Sequence, residues 1–321
     1  MKKKLDIFCT LGPSSLNKKF LKFSNSNISL LRLNLSHLKV TELPKLIRKI
    51  RTFSKVPICI DTEGAQIRTK VVKKKYFKKG NIYNYNFEKK SLFLYPSNVI
   101  SFLKKNDVLD IGFVGLKLKI LKKEKNRIKF KVINSGFLEN NKGVHLVNRN
   151  ISLPFLTDKD FEAIKIAKKY NINNYALSFT NSTKDIDKFS KILKNENKIY
   201  KLETKKALKN LHSIIKKGKS FIIDRGDLSK DISVEQIPVA QRTIINLGRK
   251  QKKKIYVATN FLESMIENNF PNRGEINDVY STLELGASGL VLAAETAIGK
   301  NPIDSVKLLK KIFKTFIKNK R

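Results

Sequence analysis

The stretch NKIYKLETKKALKNLHSIIKKGKSFIIDRGDL, residues 197–228, decides the fold. It opens with an apolar, strand-like run at 197–203, passes through a helical pattern, and returns to a second such run at 219–224. Strands alternating with helices favour a parallel sheet over an antiparallel sandwich. The charged residues fall late in each run. Lys201 and Glu203 close the first, and Arg225, Gly226 and Asp227 follow the second. Lys201 and Glu203 are two apart on a strand, so their side chains point the same way.

The same alternation extends in both directions. Strand candidates lie at 5–10, 28–34, 57–61, 173–178, 197–203, 219–224, 254–259 and 288–293. Between them run amphipathic patterns such as Leu43, Leu46, Ile47 and Ile50. Thr157 reads as an N-cap for a helix carrying Phe161, Ile164 and Ala167. Ser233 and Gln236 have capping-box spacing before a helix with Val239 and Ile244. Pro302 starts a last helix with Val306, Leu309, Phe313 and Phe316 on one side. Eight strand–helix units are what a closed (β/α)8 TIM barrel requires. The stretch from about 70 to 148 breaks the rhythm with a period of two. Leu116, Leu118 and Ile120 face Ile128, Phe130 and Val132 across a turn at Lys125–Arg127, which is a hairpin. The predicted organisation is a barrel in two parts, 1–69 and 149–321, with a small all-β domain at 70–148 inserted after the third strand.

Composition bounds the function classes. A chain of 321 residues, 41% hydrophobic, can bury an ordinary core. No apolar run is long enough to cross a bilayer, and the apolar stretch after Lys2, Lys3 and Lys4 is too short for a secretory signal. A cytoplasmic protein without membrane partners is the expectation. Cys9 and Cys59 sit in apolar runs and read as buried core thiols. The formal net charge of +40 invites a nucleic-acid reading. Its lysines are spread along the whole chain, whereas a dedicated binder concentrates them, so nucleic acid is not the expected partner. The field still draws in anionic substrates.

Active sites of such barrels lie at the C-terminal ends of the strands. There the sequence places Arg32, Asn34, Ser36 and His37; Asp61, Thr62 and Arg68; Ser178; Lys201 and Glu203; Arg225, Gly226 and Asp227; Thr259; and Glu295 with Thr296. Charged groups at this many strand ends on one face indicate a site. Glu203 and Asp227, from adjacent strands, can share one hard cation such as Mg²⁺. Arg32, Arg68 and Lys201 suit a phosphorylated substrate, because phosphoryl transfer needs positioning and positive charge on the equatorial oxygens. A buried ion-pair network is the plainer alternative for Lys201, Glu203 and Asp227.

These residues sit in strings that resemble the pyruvate kinase family, in the same order along the chain: CTLGPSS (9–15), RLNLSH (32–37), DTEGAQIRT (61–69), KGV (142–144), SLPFLTDKD (152–160), ALSF (176–179), KLE (201–203), RGDL (225–228), ATNFLESMIEN (258–268) and ETAIGKNP (295–302). The resemblance implies a barrel interrupted after its third strand by a β lid, and the reaction of phosphoenolpyruvate with ADP to give pyruvate and ATP. It implies phosphoenolpyruvate contacts at Arg32, Lys201, Gly226, Asp227 and Thr259, with Lys201 stabilising the transferring phosphoryl group and Thr259 near the carbon that gains a proton. It implies Mg²⁺ or Mn²⁺ ligands at Glu203 and Asp227. Asn34, Ser36, Asp61 and Thr62 match its potassium site, and Asn34, Ser36, His37, Arg68 and Lys142 its nucleotide-binding positions. A homo-oligomer is compatible with it.

Departures from the family pattern are Glu63, Ala65 and Gln66 for Lys, Pro and Glu, Asn181 for Arg, Tyr200 and Thr204 around KLE, Asp224 for Ala before RGD, Ser229 and Lys230 after RGDL, and AAET (293–296) for SGET. Asp224 adds a carboxylate near the expected metal. The Glu replaced by Gln66 is linked to potassium dependence, so Gln66 counts against a need for K⁺. The family's C-terminal domain, with its effector site and part of its tetramer interface, is expected to be absent. Two alternatives to the parent reaction follow. One is a diverged paralogue using the same Mg²⁺–enolate machinery on another phosphorylated or keto acid. The other is a basic binding protein with a relict site.

Overall fold

A computed structural model of the chain describes residues 5–71, 73–86, 93–96, 99–112, 115–124, 127–147, 149, 151 and 153–319. They form two compact units, 1–64 with 158–321, and 65–157. In the first, eight strands close into a barrel: β1 (Asp6–Thr10), β2 (Leu30–Asn34), β3 (Ile58–Asp61), β4 (Asn174–Leu177), β5 (Asn197–Leu202), β6 (Ser220–Asp224), β7 (Lys254–Ala258) and β8 (Gly289–Leu292). Every neighbouring pair is parallel, and β1 pairs with both β2 and β8. The expected (β/α)8 barrel is therefore the observed fold. All eight strand candidates coincide with observed strands to within two residues at either end.

The barrel interior explains the pattern. Phe8, Leu30, Cys59, Ala176, Ile199, Ile222, Tyr256, Ala258 and Val291 form one apolar cluster. Each strand contributes to it, because alternate residues of a barrel strand point inward. Cys9 and Cys59 are buried and unpaired, as expected. Outside, the helix Leu43–Phe53 buries Leu43, Ile47 and Ile50, and Pro302–Asn319 buries Val306, Leu309, Phe313 and Phe316. Two helix readings need correction. Ser233 and Gln236 do not form a capping box. A single 3₁₀ turn, Val234–Gln236, intervenes, and the α-helix starts at Ile237 with Pro238 in its first turn. Ser233 makes no cap bond, and its side chain hydrogen-bonds Glu235 instead. Val239 and Phe161 lie on exposed faces of their helices, not in the core; the cores there are built by Ile237, Ala240, Ile244 and Ile245, and by Ala163, Ile164 and Ala167.

The second unit occupies the chain between β3 and β4 and is mostly β. A seven-stranded sheet contains the expected hairpin, Leu116–Lys123 antiparallel to Arg127–Asn134. Lys125 and Asn126 of its turn lie outside the described residues. Leu116, Leu118, Ile120, Ile128, Phe130 and Val132 are all buried on one face. A further pair, Lys75–Phe77 with Gly136–Leu138, is antiparallel. The expected boundaries at 69/70 and 148/149 fall inside this unit, so Arg68 belongs to it.

Candidate active site

The site is a polar layer standing on the apolar one. Thr10, Arg32, Asp61, Ser178, Lys201 and Asp224 lie two residues beyond Phe8, Leu30, Cys59, Ala176, Ile199 and Ile222. Two residues are one full period of a strand, roughly 6.7 Å of rise, so these side chains point inward like their apolar predecessors. Barrel closure turns six scattered strand ends into one network.

Arg32 donates from Nε to Asp61 Oδ2 at 2.6 Å and from Nη1 to Thr10 Oγ1 at 2.8 Å, and its Nη2 also pairs with Asp61. Lys201 Nζ lies 2.6 Å from Glu203 Oε1, 3.3 Å from Asp224 Oδ2 and 3.4 Å from Asp61 Oδ2. It also donates to Ser178 Oγ at 3.2 Å. Asp61 is 0% exposed, Glu203 1%, and Lys201 and Asp224 4% each. Burial works against the charge of Lys201, yet Asp61, Glu203 and Asp224 outweigh it and hold the ammonium well above its usual pKa. For Glu203 burial dominates. With help from Asp227 and Asp224 it pushes the carboxyl up to about 8 against the pull of Lys201.

Glu203 stands one further period above Lys201, and its Oε2 accepts from Phe179 N at 2.6 Å. Asp227 sits on the one-turn helix Arg225–Leu228 and pairs with Lys230 at 2.6 Å. One carboxylate oxygen from each of Glu203, Asp224 and Asp227 lies within 4.8 Å of the others. Glu203 Oε1 is buried and has the Lys201 ammonium as its partner. Three hard oxygen donors this close together fit a divalent cation of the Mg²⁺ type.

Thr259 follows β7 with φ +73°, and Asn260 continues at +57°. This left-handed backbone is unusual for a β-branched residue. It is clamped by Arg225, whose Nε and Nη2 donate to Thr259 O at 3.1 and 2.6 Å. The same guanidinium pairs with Asp278 at 2.7 Å and lies 4.2 Å above the Phe261 ring centroid. The clamp turns Thr259 Oγ1 toward Gly226 N, from which it accepts at 2.8 Å.

The remaining expected residues are distributed as follows. Asn34 Oδ1 accepts from Ser36 N at 3.1 Å. Thr62 Oγ1 accepts from Ser178 N at 3.0 Å. Asp61 serves Arg32, Lys201 and Ser178 Oγ. These oxygens, expected to surround a potassium ion, thus have partners within the chain. His37 is exposed. Glu295 and Thr296 stitch the chain instead of entering the polar layer: Glu295 accepts from Leu262 N and Ala293 N, and Thr296 Oγ1 donates to Thr10 O. In the second unit Arg68 pairs in register with Gly143, next to Lys142, and Lys142 bridges to Glu139 at 3.0 Å. Gln66 Oε1 is buried without a hydrogen bond. Sequence reasoning left out Thr10, the anchoring role of Asp61 and the clamp by Arg225; it put Asp224 near the metal but not against Lys201. Counting two residues on from each core position finds Thr10, Asp61 and Asp224.

Comparison with known proteins bears on this geometry directly. Residues 2–306 match the family described as pyruvate kinase, barrel domain. A pyruvate kinase of Thermotoga maritima is 32% identical over 329 residues, covering 96% of this chain and 70% of that protein. The chain belongs to the pyruvate kinase family. Relatives also include pyruvate kinase isozyme G, chloroplastic, of Nicotiana tabacum, 28% identical over 96% of this chain and 58% of its own length, and a pyruvate kinase of Staphylococcus epidermidis, 30% identical over 97% and 56%. The chain thus spans between about half and 70% of the length of these relatives. No helix among the described residues is long and apolar enough to cross a membrane.

Proposed function

We propose that this chain transfers a phosphoryl group between phosphoenolpyruvate and ADP, yielding pyruvate and ATP, with Mg²⁺ or Mn²⁺. The observation that carries the reading is the Lys201 ammonium, kept charged by three acids beside Arg32 at the C-terminal ends of β2 and β5. In the forward step the bond from phosphorus to the enol oxygen breaks, a bond to the terminal oxygen of ADP forms, and the enolate carbon takes up a proton. Arg32 and Lys201 supply fixed positive charge where the phosphoryl oxygens gather negative charge, which is the dominant catalytic contribution in such transfers. Glu203 and Asp227 would hold the cation, which supplies further charge neutralisation and orientation of phosphate oxygens. Gly226 and Asp227 line the substrate side of the turn, and Thr259, held by Arg225, presents its hydroxyl for the proton transfer. We extend the proposal to ADP binding by Asn34, Ser36 and His37 of the barrel. Substituting Lys201→Met should lower turnover by at least ~10²-fold, the usual loss for one electrostatic stabiliser; turnover within threefold of the unaltered protein would exclude the mechanism.

A second reading is favoured by Asp224, an extra carboxylate among the groups that would meet an anionic substrate. In it the same machinery acts on another phosphorylated or keto acid. A panel of such acids, assayed beside phosphoenolpyruvate with K⁺ present and absent, separates the two and tests the potassium expectation. The preferred reading requires phosphoenolpyruvate to be the best substrate of the panel.

A further inference from the structure

We propose that Asp224 is a third carboxylate ligand of the divalent-cation site, alongside Glu203 and Asp227; this rests on the cation site proposed above. Its position follows from the strand. Asp224 ends β6 two residues beyond Ile222, so it faces the barrel interior at 4% exposure. One of its oxygens lies within 4.8 Å of an oxygen of Glu203 and one of Asp227.

Its present contacts do not satisfy a buried carboxylate. Oδ1 has two hydrogen-bond partners, Thr259 Oγ1 and Asp227 N, both at 3.5 Å. Oδ2 has Lys201 Nζ at 3.3 Å. Charge-assisted hydrogen bonds to a carboxylate usually close to ~2.7–2.9 Å. Glu203, 1% exposed, is the closer partner of the same ammonium, with Oε1 at 2.6 Å.

Charge balance points the same way. Arg32 is matched by Asp61, and Asp227 by Lys230. Lys201 alone then faces two buried carboxylates, Glu203 and Asp224. With all four carboxylates ionised, the layer holds one negative charge more than its side chains neutralise. A divalent cation placed against the three carboxylates offsets that surplus. The number of charged ligands is a main determinant of affinity at such oxygen sites.

The test is a Mn²⁺ titration followed by electron paramagnetic resonance, with no substrate or nucleotide present. Unaltered protein, Asp224→Asn and Glu203→Gln are compared, and circular dichroism checks the fold. Asp224→Asn keeps the shape and an oxygen for Thr259 and Asp227 N while removing the charge. The proposal expects it to weaken Mn²⁺ binding by at least ~10-fold, the lower end of what losing even an outer-shell partner costs. It also expects the rise in melting temperature produced by Mn²⁺ to shrink in parallel. Wild-type affinity in Asp224→Asn, with binding lost in Glu203→Gln, would overturn the role of Asp224 and leave the two-carboxylate site standing. No Mn²⁺ binding by the unaltered protein would overturn both. Should Asp224→Asn fail to fold, Asp224→Ser carries the same prediction and the same refutation.

Discussion

Replacing Lys201 by Met tests the energetics of the polar layer apart from any reaction. The ammonium has Glu203 at 2.6 Å, Asp224 at 3.3 Å and Asp61 at 3.4 Å. Met keeps most of the volume and removes the charge, which leaves Arg32 alone against three buried carboxylates. Removing one partner of a buried ion pair costs ~3–5 kcal/mol, because an uncompensated charge stays behind. That is a large share of the ~5–15 kcal/mol that holds a folded protein together. With a urea slope of about 3 kcal/mol/M, the unfolding midpoint at pH 7 should fall by roughly 1–1.7 M. Adding Glu203→Gln removes one stranded carboxylate and should restore about 1–2 kcal/mol of the loss, a coupling of the size found between groups in contact. The deficit of the single variant should also shrink in acid. Without Lys201 the folded-state carboxylates hold protons more tightly than the unfolded chain does, so stability rises as pH falls through that window. A midpoint shift below about 0.3 M, or a double variant no more stable than the single one, would refute this account of the layer.

Two further outcomes are expected. Arg225→Met should release the left-handed Thr259 by removing the donors to its carbonyl. Turnover should then fall by up to ~10²-fold through misplacement of the hydroxyl, with a smaller change in KM; steady-state kinetics showing a pure KM effect would contradict it. In the second unit, burial would raise the Asp107 carboxyl, but hydrogen bonds from Arg149 and from Lys104 N hold it below the usual range. A depressed folded-state pKa gives stability that is present above the unfolded value and lost as pH falls through the folded one. Asp107→Asn should therefore cost about 2–3 kcal/mol at pH 7, and the difference should vanish in strong acid. Equal denaturation midpoints at pH 7 would contradict this.

The barrel was legible because its signal is local. Each strand is a short apolar run closed by polar residues, and eight of them recur with helices between. The shared face of Lys201 and Glu203 was legible for the same reason, since period two puts them on one side of the strand. What escaped depends on closure. Asp61 reads as one oxygen donor among four until β3 is seen between β2 and β4, with Arg32 and Lys201 both turned to it. Asp224 reads as an added carboxylate near the metal, but its pairing with Lys201 emerges only when β6 is set beside β5. The Arg225 clamp joins residues 34 positions apart and leaves no periodic trace. The capping box at Ser233 and Gln236 has the right letters, but Pro238 fixes the helix start further on and a 3₁₀ turn takes up the slack.

The proposed transfer of a phosphoryl group from phosphoenolpyruvate to ADP is tested by incubating the purified chain with both substrates and measuring pyruvate and ATP together, with Mg²⁺ supplied and then chelated. Equimolar appearance of the two products, abolished by chelation and restored by Mg²⁺ or Mn²⁺, is the predicted result. Pyruvate without ATP, or neither product from folded protein at saturating substrates, would contradict it.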